Sequence, residues 1–239
     1  MSRIAVLSDI HGNLPALEAV VADAEVRGCT GFLNLGDSLS GPLWPAETAE
    51  FLIARDWPTI AGNHERQLQA PLARMNASDA FTRPLLSDAH LAWIAAMPAT
   101  LALDGLFLCH GTPRNDVEHF LETVEPDGLR PATRAEIAER LGARREGLTL
   151  CGHSHIPGLQ QLADGRKVAN PGSVGLQAFH DDQPYPYVVE SGDVRARYAI
   201  VEDGKIAFHA IDYAHASAAA KAEREGRSDW GRALATGKV

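Results

Sequence analysis

Five short polar clusters follow one another along the chain, each directly behind an apolar run: Asp9-Ile10-His11, Gly36-Asp37, Gly62-Asn63-His64-Glu65, His110-Gly111 and Gly152-His153-Ser154-His155. The runs before them, such as residues 3–7, 31–35, 106–109 and 148–151, have the length and aliphatic character of short buried strands. Side chains at the ends of five separate strands are brought together only when those strands finish at a common edge. The same residues therefore constrain both the fold and the chemistry.

Between the runs the pattern turns helical. Asn13 precedes Leu14, Leu17, Val20, Val21 and Ala24 at helical spacing, with Pro15 in the first turn. Strand, loop and helix then repeat, with a helix over residues 47–53 and a third strand over 57–61. This alternation predicts an α/β architecture with its site at the carboxyl ends of the strands. Residues 71–98 read as a helical layer or cap without a chemically distinctive cluster. Asp104-Gly105 suits a type I′ hairpin turn, and Thr133 with Glu136 forms a capping-box signature for a helix to Leu141 that Gly142 stops. Further strands are expected at 159–162 and 167–169, and a closing hairpin at 194–201 and 206–211. The expected organisation is one domain over residues 1–212 and a helical tail over 213–239 that thins into a polar end.

Composition narrows the function classes. A net charge of −9 and the lack of a basic cluster argue against stable nucleic-acid binding, which depends on neutralising phosphates. No run approaches the roughly 20 apolar residues that span a bilayer, and the start turns polar too early for a signal peptide, so a cytoplasmic location is expected. Cys29, Cys109 and Cys151 contain no C-x-x-C pair and leave one over. This is the usage of a reducing compartment, with buried packing roles.

The clusters supply seven ligand candidates: Asp9, His11, Asp37, Asn63, His110, His153 and His155. Two aspartates, one asparagine and four histidines form a mixed oxygen and nitrogen set suited to two divalent transition-metal ions, manganese, iron, zinc, nickel or cobalt, and the set itself does not choose among them. A carboxylate at Asp37 can bridge two ions roughly 3.5–4 Å apart, the spacing of two-metal hydrolysis. Any one of these residues alone would read as a cap, a turn former or a packed histidine; their joint order does not.

These motifs, together with His110-Gly111-Thr112-Pro113-Arg114 and Asn170-Pro171-Gly172-Ser173-Val174-Gly175, resemble the calcineurin-like metallophosphoesterase family, in its small bacterial and archaeal phosphodiesterase branch. The resemblance implies a four-layer αββα sandwich of two mixed sheets flanked by helices. It also implies Asp9, His11, Asp37 and His155 around one ion, and Asp37, Asn63, His110 and His153 around the other. His64 is left as the general acid of a hydrolysis in which a metal-bridging hydroxide attacks phosphorus in line, and an imidazole with pKa near 6.5 suits that task. The expected substrates are small phosphodiesters or nucleotide phosphoanhydrides. The alternatives are a dinucleoside polyphosphate hydrolase, a phosphomonoesterase or, in another class, an inactive scaffold with the same fold; self-association through the tail is left open.

One departure stands out. Protein-phosphatase members carry an aspartate and an arginine three and four residues beyond the bridging aspartate, where this chain has Ser40 and Gly41. The aspartate that orients the histidine and the guanidinium that clamps phosphate are both expected to be missing. Asn13 and Arg114 are the substitutes for contacting substrate.

Overall fold

The computed structural model describes residues 3–239. In chain order the elements begin with β1 (Ile4–Leu7), α1 (Leu14–Val26), β2 (Gly31–Asn34), α2 (Pro45–Ile53), α3 (Asn63–Gln67), α4 (Ala77–Thr82) and α5 (Asp88–Ala96). There follow β3 (Thr100–Leu103), β4 (Leu106–Cys109), β5 (Glu122–Glu125), β6 (Gly128–Pro131), α6 (Arg134–Leu141), β7 (Leu148–Leu150), β8 (Gly158–Gln161) and β9 (Lys167–Asn170). The chain closes with β10 (Ala178–Asp181), β11 (Tyr187–Glu190), β12 (Ala196–Glu202), β13 (Lys205–Ile211), α7 (His215–Arg224) and α8 (Ser228–Thr236).

Two mixed sheets carry the fold, ordered β13-β12-β1-β2 and β3-β4-β7-β9-β8, with two-stranded ribbons β5-β6 and β10-β11 beside them. β1 runs parallel to β2 and antiparallel to β12, and β4, β7 and β9 run parallel with antiparallel β3 and β8 at the edges. The period-two alternation of each strand decides the layering. Val6 and Leu33 meet Leu108 and Leu150 between the sheets, whereas Ala5 and Leu7 turn outward onto Leu17 and Val20 of α1. On the far side Phe107, Cys109, Cys151 and Val168 pack against Ile137 and Leu141 of α6. The result is the four-layer αββα sandwich that the family resemblance implied.

Local signals behave as their chemistry dictates. Asn13 Oδ1 accepts from the Ala16 N–H and caps α1, and the Thr133/Glu136 box opens α6 before Gly142 ends it at φ 59°. Asp104 and Gly105 both take positive φ, 48° and 81°, as a type I′ turn between β3 and β4 requires. All three cysteines are free and buried. Among the described residues no helix is long and apolar enough to cross a membrane.

Two expectations need correction. Residues 57–61 make no strand, only a single parallel bridge of Thr59 to Asn34. Pro58 has no N–H to give a ladder, and the Ala61 N–H turns away to the Pro98 carbonyl. The tail does not thin into a polar end. Residues 71–98 are helical as expected, but α7 and α8 form a second helical element whose Ala218, Ala222, Trp230 and Leu234 share an apolar cluster with Leu43, Leu176 and Ala178. Alanines at helical spacing let α8 pack close, and polar residues on its outer face disguise this in the sequence.

Candidate metal centre

Among the described residues, five of the eight non-glycine positions with positive φ are Asp9, His11, Asp37, His153 and His155. Left-handed backbone costs an L-residue roughly 1–2 kcal/mol, and such strain collects where function requires it. Here it lets a strand end abruptly and turn its next side chains back over the sheet edge. Glu65 ties the Asp37 turn to the start of α3: its buried carboxylate accepts from the N–H groups of Asp37, Ser38 and Gly62, each at 2.8 Å. Gly62 has to be glycine, because a Cβ there would run into Asp37 Oδ1.

Six of the seven candidates arrive as two buried triads, Asp9 with His11 and His155, and Asp37 with His110 and His153, each with ligand atoms within 4.8 Å of one another. Buried Asn63, at the start of α3, leaves its Oδ1 without a partner. The histidine tautomers follow from the backbone. His11 Nδ1 donates to the Ser40 carbonyl at 2.8 Å, His110 Nδ1 to Leu35 at 2.8 Å and His155 Nδ1 to Leu176 at 2.6 Å. Each ring therefore aims an Nε2 lone pair inward. His153 is reversed, giving Nε2 to the Val117 carbonyl at 3.1 Å and keeping Nδ1 for the centre.

This arrangement fits cations and little else. The Nε2 atoms of His11 and His155 face each other at 3.1 Å, and with both Nδ1 protons committed two acceptors confront one another. Asp9 Oδ2 and His110 Nε2 are buried without a hydrogen-bond partner, although His110 Nε2 lies 3.0 Å from Asp37 Oδ2. Buried acceptors converging in this way call for a positive charge. Each triad can hold a metal ion.

The electrostatics agree. Burial alone would raise the Asp9 carboxyl, but His155 and His110 outweigh it and hold the group at about 2. Burial likewise disfavours charge on His110 and His64, yet Asp37 lifts His110 to about 10, and Asp37 with Asp79 lifts His64 to about 9. His11 goes the other way: burial and the neighbouring His155 lower it to about 4, which leaves a neutral imidazole able to bind. The field around Asp37 draws positive charge, a proton on His110 that a bound cation would displace, while burial and neighbouring histidines keep His11 and His153 unprotonated.

His64 sits at the lip of this centre, its Nε2 4.0 Å from Asp37 Oδ2 and its N–H bonded to Asp37 Oδ1 at 2.9 Å. Its Nδ1 meets Asp79 Oδ1 at 2.8 Å. The orienting aspartate expected to be missing is therefore present, delivered by α4 rather than by the loop after β2. Ser40, at the position where an aspartate was expected, donates its hydroxyl to the same Asp79 oxygen at 2.5 Å. Asn76 holds the other oxygen at 2.7 Å. Asp79 is wholly buried, so its geometry is fixed by these three donors. The segment that carried no chemical signal contains the partner of the catalytic candidate, and no spacing could have marked it, since helix α4 reaches His64 only in three dimensions.

Neither proposed substrate contact survives. Asn13 is fully buried, its amide donating to the Gly175 carbonyl and the Tyr213 hydroxyl, so it ties α1 to distant chain segments instead of facing substrate. Arg114 is half-exposed and engaged by Glu118 and Glu139, a surface ion-pair cluster that does not line the cleft. The cleft over the centre measures about 570 Å³ and is bounded by Asp37, His64, Ser78, Phe179, Arg227 and Trp230, among others. Arg227 and Trp230 come from the tail, and the sequence offered no signal for them.

Comparison with known proteins accords with this geometry. The sequence profile of the calcineurin-like phosphoesterase superfamily domain matches residues 2–192. An uncharacterised protein of Methanocaldococcus jannaschii, MJ0912, is 25% identical over 232 residues, covering 89% of this chain and 88% of that one. The crystal structure of a metallophosphoesterase from Sphaerobacter thermophilus superposes with a TM-score of 0.78 at 25% identity, over 99% of both chains. The hypothetical protein PH1004 from Pyrococcus horikoshii OT3 shares the fold at a TM-score of 0.78 and 18% identity, over 100% of both. With a metal-fit centre at the strand ends and a profile match over most of its length, the chain belongs to the calcineurin-like phosphoesterase superfamily and is a metal-dependent phosphoesterase.

Proposed function

We propose that the protein hydrolyses small phosphodiesters or nucleotide phosphoanhydrides with two divalent cations, manganese foremost. The observation that carries this reading is the pair of buried triads, linked where His110 Nε2 lies 3.8 Å from Asp9 Oδ1 and 3.0 Å from Asp37 Oδ2, beside a His64 ring held by Asp79 at 2.8 Å. In this reading Asp9, His11, Asp37 and His155 hold one cation, and Asp37, Asn63, His110 and His153 the other. When bound, the cations supply charge neutralisation at the phosphoryl oxygens and a water-derived nucleophile at neutral pH.

The rest belongs to the chain's own groups. Asp79 accepts the Nδ1 proton of His64 and fixes the ring, leaving the Nε2 proton for the departing oxygen. Glu65 keeps the Asp37 and Gly62 segments in register, which holds Asp37 beside Asn63. A cleft of about 570 Å³ suits a nucleotide-sized ligand. The helix pair of residues 213–239 works with the unit of residues 1–212, since it walls that cleft. Three free, buried cysteines support a cytoplasmic setting.

The test is a set of steady-state rates with Mn²⁺ for a diester, a monoester, a 2′,3′-cyclic nucleotide and a dinucleoside tetraphosphate. Elemental determination of the metal accompanies it. Turnover of a diester or anhydride is expected; turnover of monoesters alone would overturn the substrate class, and no turnover of any would overturn the hydrolase reading.

A further inference from the structure

Resting on the phosphoesterase reading, we propose that Arg227, carried by the α7–α8 helix pair, is the guanidinium that grips a phosphate oxygen of the substrate, making the tail a specificity element. Arg227 is the sole arginine or lysine lining the cleft among the described residues. The acidic groups Asp37, Asp181 and Asp229 share that lining, so an anionic substrate has one permanent cationic side chain to meet.

The residues explain how a distant segment comes to supply it. Position 41 is glycine, and a Cβ there would lie 2.5 Å from Trp230 Cη2 and 2.8 Å from the His11 carbonyl. No side chain can project from position 41 while α8 is docked; Trp230 fills that space, its ring 5.8 Å from that of His11. Arg227 precedes Trp230 by about one helical turn and so arrives at the same cleft.

The guanidinium is also prepared for the task. Asp229 takes its Nε and Nη2 protons at 2.9 and 2.6 Å, and Ser78 on α4 takes one Nη1 proton at 3.2 Å. A guanidinium has five N–H donors, so one on each terminal nitrogen stays free, the pair that forks onto two oxygens of a phosphate. The anchors fix the side chain before substrate arrives, and the long Ser78 contact is the one a phosphate oxygen can displace.

The probe is inorganic phosphate, titrated calorimetrically into the manganese-loaded full-length protein. Arg227→Gln is expected to weaken phosphate binding and raise KM roughly 10- to 100-fold, the weight of a charge-assisted hydrogen bond, with little change in kcat or metal content. Arg227→Lys, which restores charge without the fork, is expected to fall between. Unchanged phosphate Kd and KM in Arg227→Gln would overturn the proposal, as would a loss confined to melting temperature. Because Arg227 also joins α4 to the tail, the wild-type protein gives a second reading: phenylglyoxal labelling mapped by peptide mass spectrometry. Saturating phosphate is expected to protect Arg227, and equal labelling with and without phosphate would overturn the assignment. Protection of Arg227 in a protein that turns over no phosphoester would sustain this site and sink the hydrolase reading, so the two failures are distinct.

Discussion

Replacing Asp79 by Asn removes a charge and almost nothing else from the acid at the lip of the centre. The Asn oxygen can still accept from His64 Nδ1 at 2.8 Å and from Ser40, so the ring keeps its place while the carboxylate that stabilises its cation is gone. A hydrogen bond to a charged group contributes about 1.5–3 kcal/mol, and 1.36 kcal/mol corresponds to one pKa unit, so the His64 pKa is expected to fall by about 1–2 units. The sign is unambiguous: His64 is raised to about 9 in the folded protein, and a general acid works while protonated. Activity is therefore lost as pH rises through the His64 pKa of the metal-loaded enzyme, and in Asp79→Asn the loss begins at lower pH. With cations drawing on Asp37, Asp79 is the carboxylate left to sustain the proton, which sharpens the effect. The assay is kcat against pH for two diesters, one with a p-nitrophenyl and one with an alkyl leaving group, alongside elemental metal content. The alkyl substrate should lose roughly 10- to 100-fold and the p-nitrophenyl substrate much less, with metal retained. Asn76 Nδ2 would then face an amide N–H₂, lowering stability by about 1–3 kcal/mol as well. An alkaline limb that stays in place, with equal losses for both leaving groups, would refute the reasoning.

Other substitutions test separate parts of the account. Gly62→Ala drives a Cβ into Asp37 Oδ1 and should cost metal occupancy as well as activity, measured by elemental content and calorimetric titration with Mn²⁺. Arg114→Ala should leave KM and kcat within about twofold of wild type, because exposed ion pairs contribute little and this one lies outside the cleft; a large rise in KM would restore it as a substrate contact. Asn13→Ala should lower stability by about 1–2 kcal/mol through loss of the α1 cap, with further loss from its buried bonds to Gly175 and Tyr213, and chemical denaturation reads this directly.

How much of this was legible in the sequence depends on distance along the chain. The two candidate triads were readable because each cluster follows its own strand, and a strand end fixes where its next side chains go: Asp9 after β1, Asp37 after β2, His110 after β4, His153 and His155 after β7. Caps and turns were readable for the same local reason, as with Asn13, Thr133 and Asp104-Gly105. What failed were inferences across helices. Asp79 and Arg227 reach the cleft through the docking of α4 and α8, which no periodicity encodes, and Asn13 and Arg114 were drawn toward substrate by nearness in sequence to His11 and His110. Residues 57–61 had strand composition, but Pro58 and the turn of Ala61 toward Pro98 leave a single bridge. The fate of Ser40 joins both lessons: the position was identified correctly as lacking an aspartate, and its hydroxyl now supports the aspartate that replaces it from elsewhere.

In the proposed centre Asp37 is shared by two cations lying side by side. Anomalous diffraction from crystals grown with Mn²⁺ measures this most directly. Two manganese peaks roughly 3.5–4 Å apart are predicted, with a carboxylate oxygen of Asp37 between them and both peaks lost in Asp37→Asn. A single peak, or two peaks too far apart for one carboxylate to span, would contradict it.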